Sequence, residues 1–113
     1  MLKVKAVAEK LGLEINVTGD LSKEVSGCYI SDLLSDVMAH SSDRQLWVTL
    51  QTHPNIVAVA AIKGLSAIII TNGRKPEAET AKKAASENIN ILTTGESTFN
   101  IAGLIYNFLQ DEH

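Results

Sequence analysis

Three short polar stretches hold most of the side chains able to contact a ligand. They are Gln51, Thr52 and His53; Asn72, Gly73 and Arg74; and Thr94, Gly95 and Ser97. Each follows an apolar run ("LWVTL", "SAIII", "INIL") and precedes a helical pattern. The free N–H groups of a helix amino terminus and its dipole favour an anion. Arg74 and Lys75 add cationic donors, and Gly73 and Gly95 allow close backbone approach. Together the stretches suit a shallow site for a phosphate, a carboxylate or a nucleotide. The same residues also serve as ordinary caps: Thr52 or Asn55 for one helix, Ser97 or Thr98 for the last, with Pro54 in a first turn.

Other chemistry finds less support. His53 is the residue type best placed for proton transfer near neutral pH, but the flanking loops offer no nucleophile elbow and no orienting carboxylate. Asp36 and His40 share a helix face at i, i+4, yet two ligands do not close a metal site. Glu77 and Glu79 open a helix, where negative charge is favourable in any case. Cys28 lies in an apolar strand pattern and reads as inert, and Trp47 reads as core. The phosphate loop G-x-x-x-x-G-K-[ST], the dinucleotide pattern G-x-G-x-x-G, C-x-x-C and H-E-x-x-H are all absent. The expectation is a domain without catalytic residues, cofactor or metal.

The elements that position these loops follow from periodicity. Residues 2–11 place Leu2, Val4, Val7, Ala8 and Leu11 on one helical side, with Gly12 as carboxyl cap. "LEINV" alternates Leu13, Ile15 and Val17 inward, and "VSGCYI" is a second strand. Ser31 or Asp32 caps a helix carrying Leu33, Leu34, Val37 and Met38. Strand–helix alternation then runs regularly: strand 46–50, helix 53–63 closed by Gly64, strand 66–70, helix 76–88 opened by Pro76, strand 89–92 and helix 97–110. Ala67–Ile70 is continuously apolar, as in a parallel strand covered on both faces. Successive strand–helix units imply right-handed crossovers and helices on the sheet. The expected fold is a single α/β domain over residues 1–113, three layers with a mostly parallel sheet, whose strand-to-helix loops open on one edge.

Composition narrows the partners. The chain has 113 residues, 45% hydrophobic and 20% charged, with a net charge of −3 and cations clustered only in "GRKP". This argues against nucleic acid, which requires clustered cations on phosphates. No apolar run approaches the roughly 20 residues that span a bilayer, and "MLKVKAVAEKLGLE" lacks the apolar centre of a signal peptide. A lone Cys28 suits a reducing compartment, so a cytoplasmic location is expected. The helix "NIVAVAAIKG" is apolar nearly all round. The last helix carries Phe99, Ala102, Ile105, Tyr106 and Leu109 along one face, with Ile101, Leu104 and Phe108 beside it. One sheet cannot hide both stripes, so a homodimer through the last helix or the Ile56–Ile62 helix is expected.

The blocks "GCYISDLLSDVMA", "WVTLQTHPNIVAVA", "AIIITNGRKP" and "INILTTGESTFNIAGLIYNFL" together resemble the DRTGG domain family over essentially the whole chain. They are more distantly similar to the amino-terminal domain of HPr kinase/phosphorylase. The resemblance implies an α/β domain that accompanies enzymes as a regulatory or ligand-sensing part, as in phosphotransacetylases and CBS-domain pyrophosphatases, and hence an enzyme partner. It supplies no catalytic set. The Asp-Arg-Thr-Gly-Gly string itself is absent, with "TNGRKP" the nearest glycine turn. The alternative is an accessory subunit that docks through its apolar helices.

Overall fold

The structure, a computed structural model, describes residues 2–111. The apolar runs form strands and the 3.6-residue patterns form helices, in the order α1 (Val4–Leu11), β1 (Glu14–Val17), β2 (Gly27–Ile30), α2 (Leu34–His40), β3 (Gln45–Thr49), α3 (Asn55–Lys63), β4 (Ala67–Ile70), α4 (Ala78–Ser86), β5 (Ile91–Thr93) and α5 (Thr98–Asp111). The five strands make one sheet ordered β1-β5-β4-β3-β2. The β2/β3, β3/β4 and β4/β5 pairs are parallel, and β1 adds to β5 antiparallel. The expected mostly parallel, three-layer α/β architecture is therefore the observed one.

Alternate residues of each central strand feed two cores. On one face Leu46, Val48, Ile69 and Leu92 pack against α1 and α5 through Val4, Val7, Ile101 and Ile105. On the other, Trp47, Ile68, Ile70 and Ile91 pack against α2, α3 and α4 through Val37, Ile56, Val57 and Ala84. All four residues of β4 are buried, which explains their unbroken apolar run. Trp47 is fully buried, and its indole N–H donates to the Ser31 carbonyl at 2.9 Å. Gly12 and Gly64 end α1 and α3 in left-handed conformations.

Four local expectations are corrected. Ile15 is 40% exposed rather than inward, because β1 is an edge strand with an irregular register between Ile15 and Val17. Pro76 lies outside α4, whose first residue is Ala78; the Glu77 N–H is instead held by the Thr52 carbonyl at 3.2 Å. Neither Thr52 nor Asn55 caps α3, since the His53 ring takes the Asn55 N–H at 3.2 Å. On α5 the buried row is Ile101, Ile105 and Leu109, while Phe99 and Tyr106 face outward at 86% and 65% exposure.

Candidate functional site

Parallel pairing sets Thr49 level with Ile70 and Ile70 level with Thr93. The residues that follow leave the sheet side by side, and the ladder continues one step further, with Thr71 N–H donating to Thr49 O at 3.3 Å and Thr94 N–H to Ile70 O at 3.1 Å. Gln51–His53, Asn72–Arg74 and Thr94–Ser97 thus emerge on one rim from three adjacent strands, as the connections required. The antiparallel β1 starts at this same rim, with Glu14 opposite Thr93.

The middle loop is a tight reversal. Asn72 and Gly73 have φ of 61° and 73°, and Arg74 N–H donates to Thr71 O at 3.2 Å, the geometry of a type I′ turn. That conformation accounts for the Asn-Gly pair, since few other residues adopt it without strain. The turn is fastened sideways to the β5 loop: Asn72 N–H donates to Glu96 O and Gly73 N–H to Thr94 O, both at 2.9 Å. Beneath it the Thr71 and Thr98 hydroxyls meet at 2.8 Å, and the Asn72 amide donates to Thr71 at 3.0 Å. Gly95 has neither a positive φ nor a protein neighbour that a Cβ would strike, so the turn geometry itself does not require glycine there.

The remaining rim residues divide between structure and availability. Ser97 caps α5, its hydroxyl accepting the Asn100 N–H at 3.1 Å. Thr94 accepts the Glu96 N–H at 3.1 Å, and the Gln51 amide donates to the Asp32 carbonyl at 2.8 Å. Thr52 contributes its carbonyl, which holds both the Glu77 N–H and, at 2.6 Å, the Thr80 hydroxyl. Because a backbone N–H donates to His53 Nδ1, the neutral ring carries its proton on Nε2 and presents a donor. Lys75 is bound to Glu14 at 3.0 Å and approaches the Thr93 hydroxyl at 3.3 Å. Arg74 is exposed and forms no ion pair among the described residues, so it is the rim's available cation.

This arrangement gathers hydrogen-bond donors along one edge of the sheet. It offers a guanidinium, an imidazole N–H and the starts of three helices, and it sets no nucleophile beside a base. Among the described residues no group of three or more His, Cys, Asp or Glu could hold a metal. On α2 the Asp36 carboxylate accepts from the Tyr29 hydroxyl and pairs with His40 Nδ1, all at 3.0 Å. Hydrogen bonds from Ser31 and Tyr29, aided by His40, hold it below the ordinary carboxylate value. Burial pushes the Cys28 thiol up to about 12, consistent with the inert residue expected.

Some rim residues were not visible in the sequence pattern. Asp32 accepts the Thr49 hydroxyl at 2.9 Å and the Leu50 N–H at 2.8 Å, lashing the end of β2 to that of β3. Ser31, rather than Asp32, receives the Leu33 N–H at 3.2 Å before α2. A polar pair at the end of an apolar strand was the available signal, and it does not say which member turns back to the sheet.

A second feature adjoins the rim. A groove of about 820 Å³ runs along α5 beside the edge strand β2, from Glu96 and Asn100 at the rim past Gly103 to Tyr106, with Cys28 and Ile30 on its floor. Ile30 and Leu104 are 45% and 44% exposed there, and no described element covers them. No described helix is long and apolar enough to cross a membrane.

Comparisons with known proteins agree with this fold. The family model for the DRTGG domain matches residues 6–108. A search of curated proteins finds no match. Among solved structures, the CBS and DRTGG domains of the regulatory region of Clostridium perfringens pyrophosphatase, complexed with the activator diadenosine tetraphosphate, are similar with a TM-score of 0.70 at 18% identity. That match covers 88% of this chain and 44% of the pyrophosphatase chain, so less than half of the latter is shared. With the family model spanning nearly the whole sequence, the chain belongs to the DRTGG domain family.

Proposed function

We propose that this protein is a regulatory, ligand-sensing domain without catalytic activity of its own, acting in the cytoplasm as one α/β unit. The observation that carries this reading is the common rim. Three adjacent parallel strands bring Gln51, Thr52 and His53, Asn72, Gly73 and Arg74, and Thr94, Gly95 and Ser97 together. The helices that follow these three loops begin there, and Arg74 stands free of any ion pair among the described residues. The ligand class is a small anion: a phosphorylated metabolite or a nucleotide held by Arg74, the His53 Nε2–H and the first turn of α5. That a related domain occurs in a pyrophosphatase regulatory region crystallised with a dinucleotide activator supports both the sensing role and the nucleotide class. The test is a melting-curve screen against phosphate, mononucleotides and dinucleoside polyphosphates. At least one raises the melting temperature, and Arg74→Ala abolishes that rise. No rise with any compound, or one that Arg74→Ala leaves intact, contradicts the reading.

The second reading, docking onto an enzyme partner or a second copy, is favoured by the α5 groove, and the two readings are compatible. Glu96 and Asn100 belong to both features: the Asn100 amide donates to Glu96 at 3.1 Å, and the Glu96 carbonyl holds the Asn72 N–H. A ligand that shifts the Asn72–Arg74 turn therefore acts on the rim end of the groove. The protein works as a homodimer in this account, with α5 or the exposed side of α3 in the interface. Co-purification at native expression levels separates an enzyme partner from self-association.

A further inference from the structure

The homodimer reading leaves open which surface is used and how two copies meet. We propose that two copies associate about a two-fold axis at Ala102 and Gly103, with their α5 helices antiparallel and each lying in the groove beside the other's β2. The proposal rests on the homodimer reading and adds to it a face, an orientation and a set of contacts.

Three observations commit the groove to a second copy of this chain. First, the outward face of α5 is self-complementary. Phe99 and Tyr106, both largely exposed, project three residues before Ala102 and three after Gly103. Between them lies a saddle, because Ala102 is small and a Cβ built at Gly103 meets nothing within 4 Å. Reversing one helix against the other about the saddle sets Phe99 against Tyr106 of the second copy, and Tyr106 against its Phe99. That reciprocity is what a two-fold interface requires, and small residues at the crossing permit close helix approach.

Second, the charge pattern fits like meeting like. α5 has no charged residue before Asp111, although the chain as a whole carries −3. Two such helix faces meet without repulsion, and the one charged residue lining the groove, Glu96, stands at its rim end, away from the crossing at Ala102 and Gly103.

Third, the sheet's coverage is uneven. Helices α2, α3 and α4 cover one face, while only α1 and α5 pack on the other, leaving Ile30 of β2 exposed and Cys28 at the groove floor. A helix laid beside α5 fills this gap, and the α5 of a second copy does so while reciprocally receiving the first.

The test uses the full chain in sedimentation velocity and by thiol cross-linking. Wild type sediments as a dimer at concentrations up to about 100 µM, and Gly103→Glu and Phe99→Asp each weaken association at least about tenfold. Both positions are open to solvent within one copy, so circular dichroism and melting of the monomeric variants report retained folding. In a Cys28→Ser background, mild oxidation of Ala102→Cys yields a covalent dimer, while Ile62→Cys on the exposed side of α3 does not. A wild-type monomer throughout that range overturns the homodimer and this arrangement together. A dimer insensitive to both α5 variants, or one that Ile62→Cys cross-links and Ala102→Cys does not, overturns the arrangement alone. The nucleotide-dependent melting shift is measured on Gly103→Glu as well, and its persistence keeps the rim reading separate from either outcome.

Discussion

Removing the Asn90 side chain tests how the two halves of this fold are tied. Asn90 is fully buried at the amino end of β5, and its amide makes four hydrogen bonds. Its oxygen accepts the Gly19 N–H at 2.8 Å and the Asp20 N–H at 2.9 Å. Its nitrogen donates to Asp20 O at 2.8 Å and Ser66 O at 2.9 Å. One side chain thereby pins the β1–β2 connection and the turn before β4 to β5. Asn90→Ala strands these backbone groups, and each buried polar group without a partner costs about 1–3 kcal/mol. Water reaches the part-buried Gly19 and Asp20 groups and recovers some of that, so the net loss is about 3–4 kcal/mol. A domain of this size holds about 5–15 kcal/mol in total. With a urea dependence of roughly 1.5 kcal/mol per molar, the unfolding midpoint falls by about 2 M. The assay is urea unfolding followed by circular dichroism and by Trp47 fluorescence. A loss under about 1 kcal/mol refutes the reasoning, because it means that the loop's amides find equivalent partners without Asn90.

Other perturbations have directions set by the same structure. Gly19→Ala in the pinned loop is strongly destabilising, since a Cβ there collides with the backbone of Asn88; unchanged thermal stability contradicts this. Cys28, half-buried on the groove floor with its thiol pushed up to about 12, resists disulfide reagents at pH 8 in the folded protein and reacts faster in denaturant; equally rapid labelling of native protein contradicts the raised value. Asp36 titrates below its ordinary value of 3.8 in the folded state, so its contribution is present above that pH and is lost as pH falls through the lower folded value. Asp36→Asn accordingly flattens the stability-versus-pH curve below pH 3.8, and an unaltered acid limb is the contrary result. The Asn16 side-chain oxygen is buried without a partner, so Asn16→Val raises stability by about 1 kcal/mol in urea unfolding, and a loss of that size contradicts the assignment.

What the sequence revealed and what it hid follow from the range of the forces involved. Elements held by local periodicity were legible: the continuous Ala67–Ile70 run, the core position of Trp47 and the rim shared by three parallel loops. The facing of α5 was not, because two apolar stripes share one helix and only the packing of α1 and the sheet selects Ile101 and Ile105 over Phe99 and Tyr106. Long-range polar ties were equally invisible. Lys75 looks like a free rim cation until Glu14, 61 positions away, is brought beside it by the antiparallel β1. Asn90 reads as an ordinary strand-entry residue, since its partners Gly19 and Asp20 lie 71 and 70 positions away. His53 behaves as a cap because of where its ring folds back, which its type and position do not specify.

The central claim, that the strand-end rim receives an anionic ligand, is tested most directly by amide chemical-shift mapping during nucleotide titration. The account predicts that Thr52 and His53, Gly73 and Arg74, and Gly95 and Ser97 move together with one saturation curve, and that Arg74→Ala weakens it. Saturable shifts clustered elsewhere in the molecule, or no shifts at any of the three loops, would contradict it.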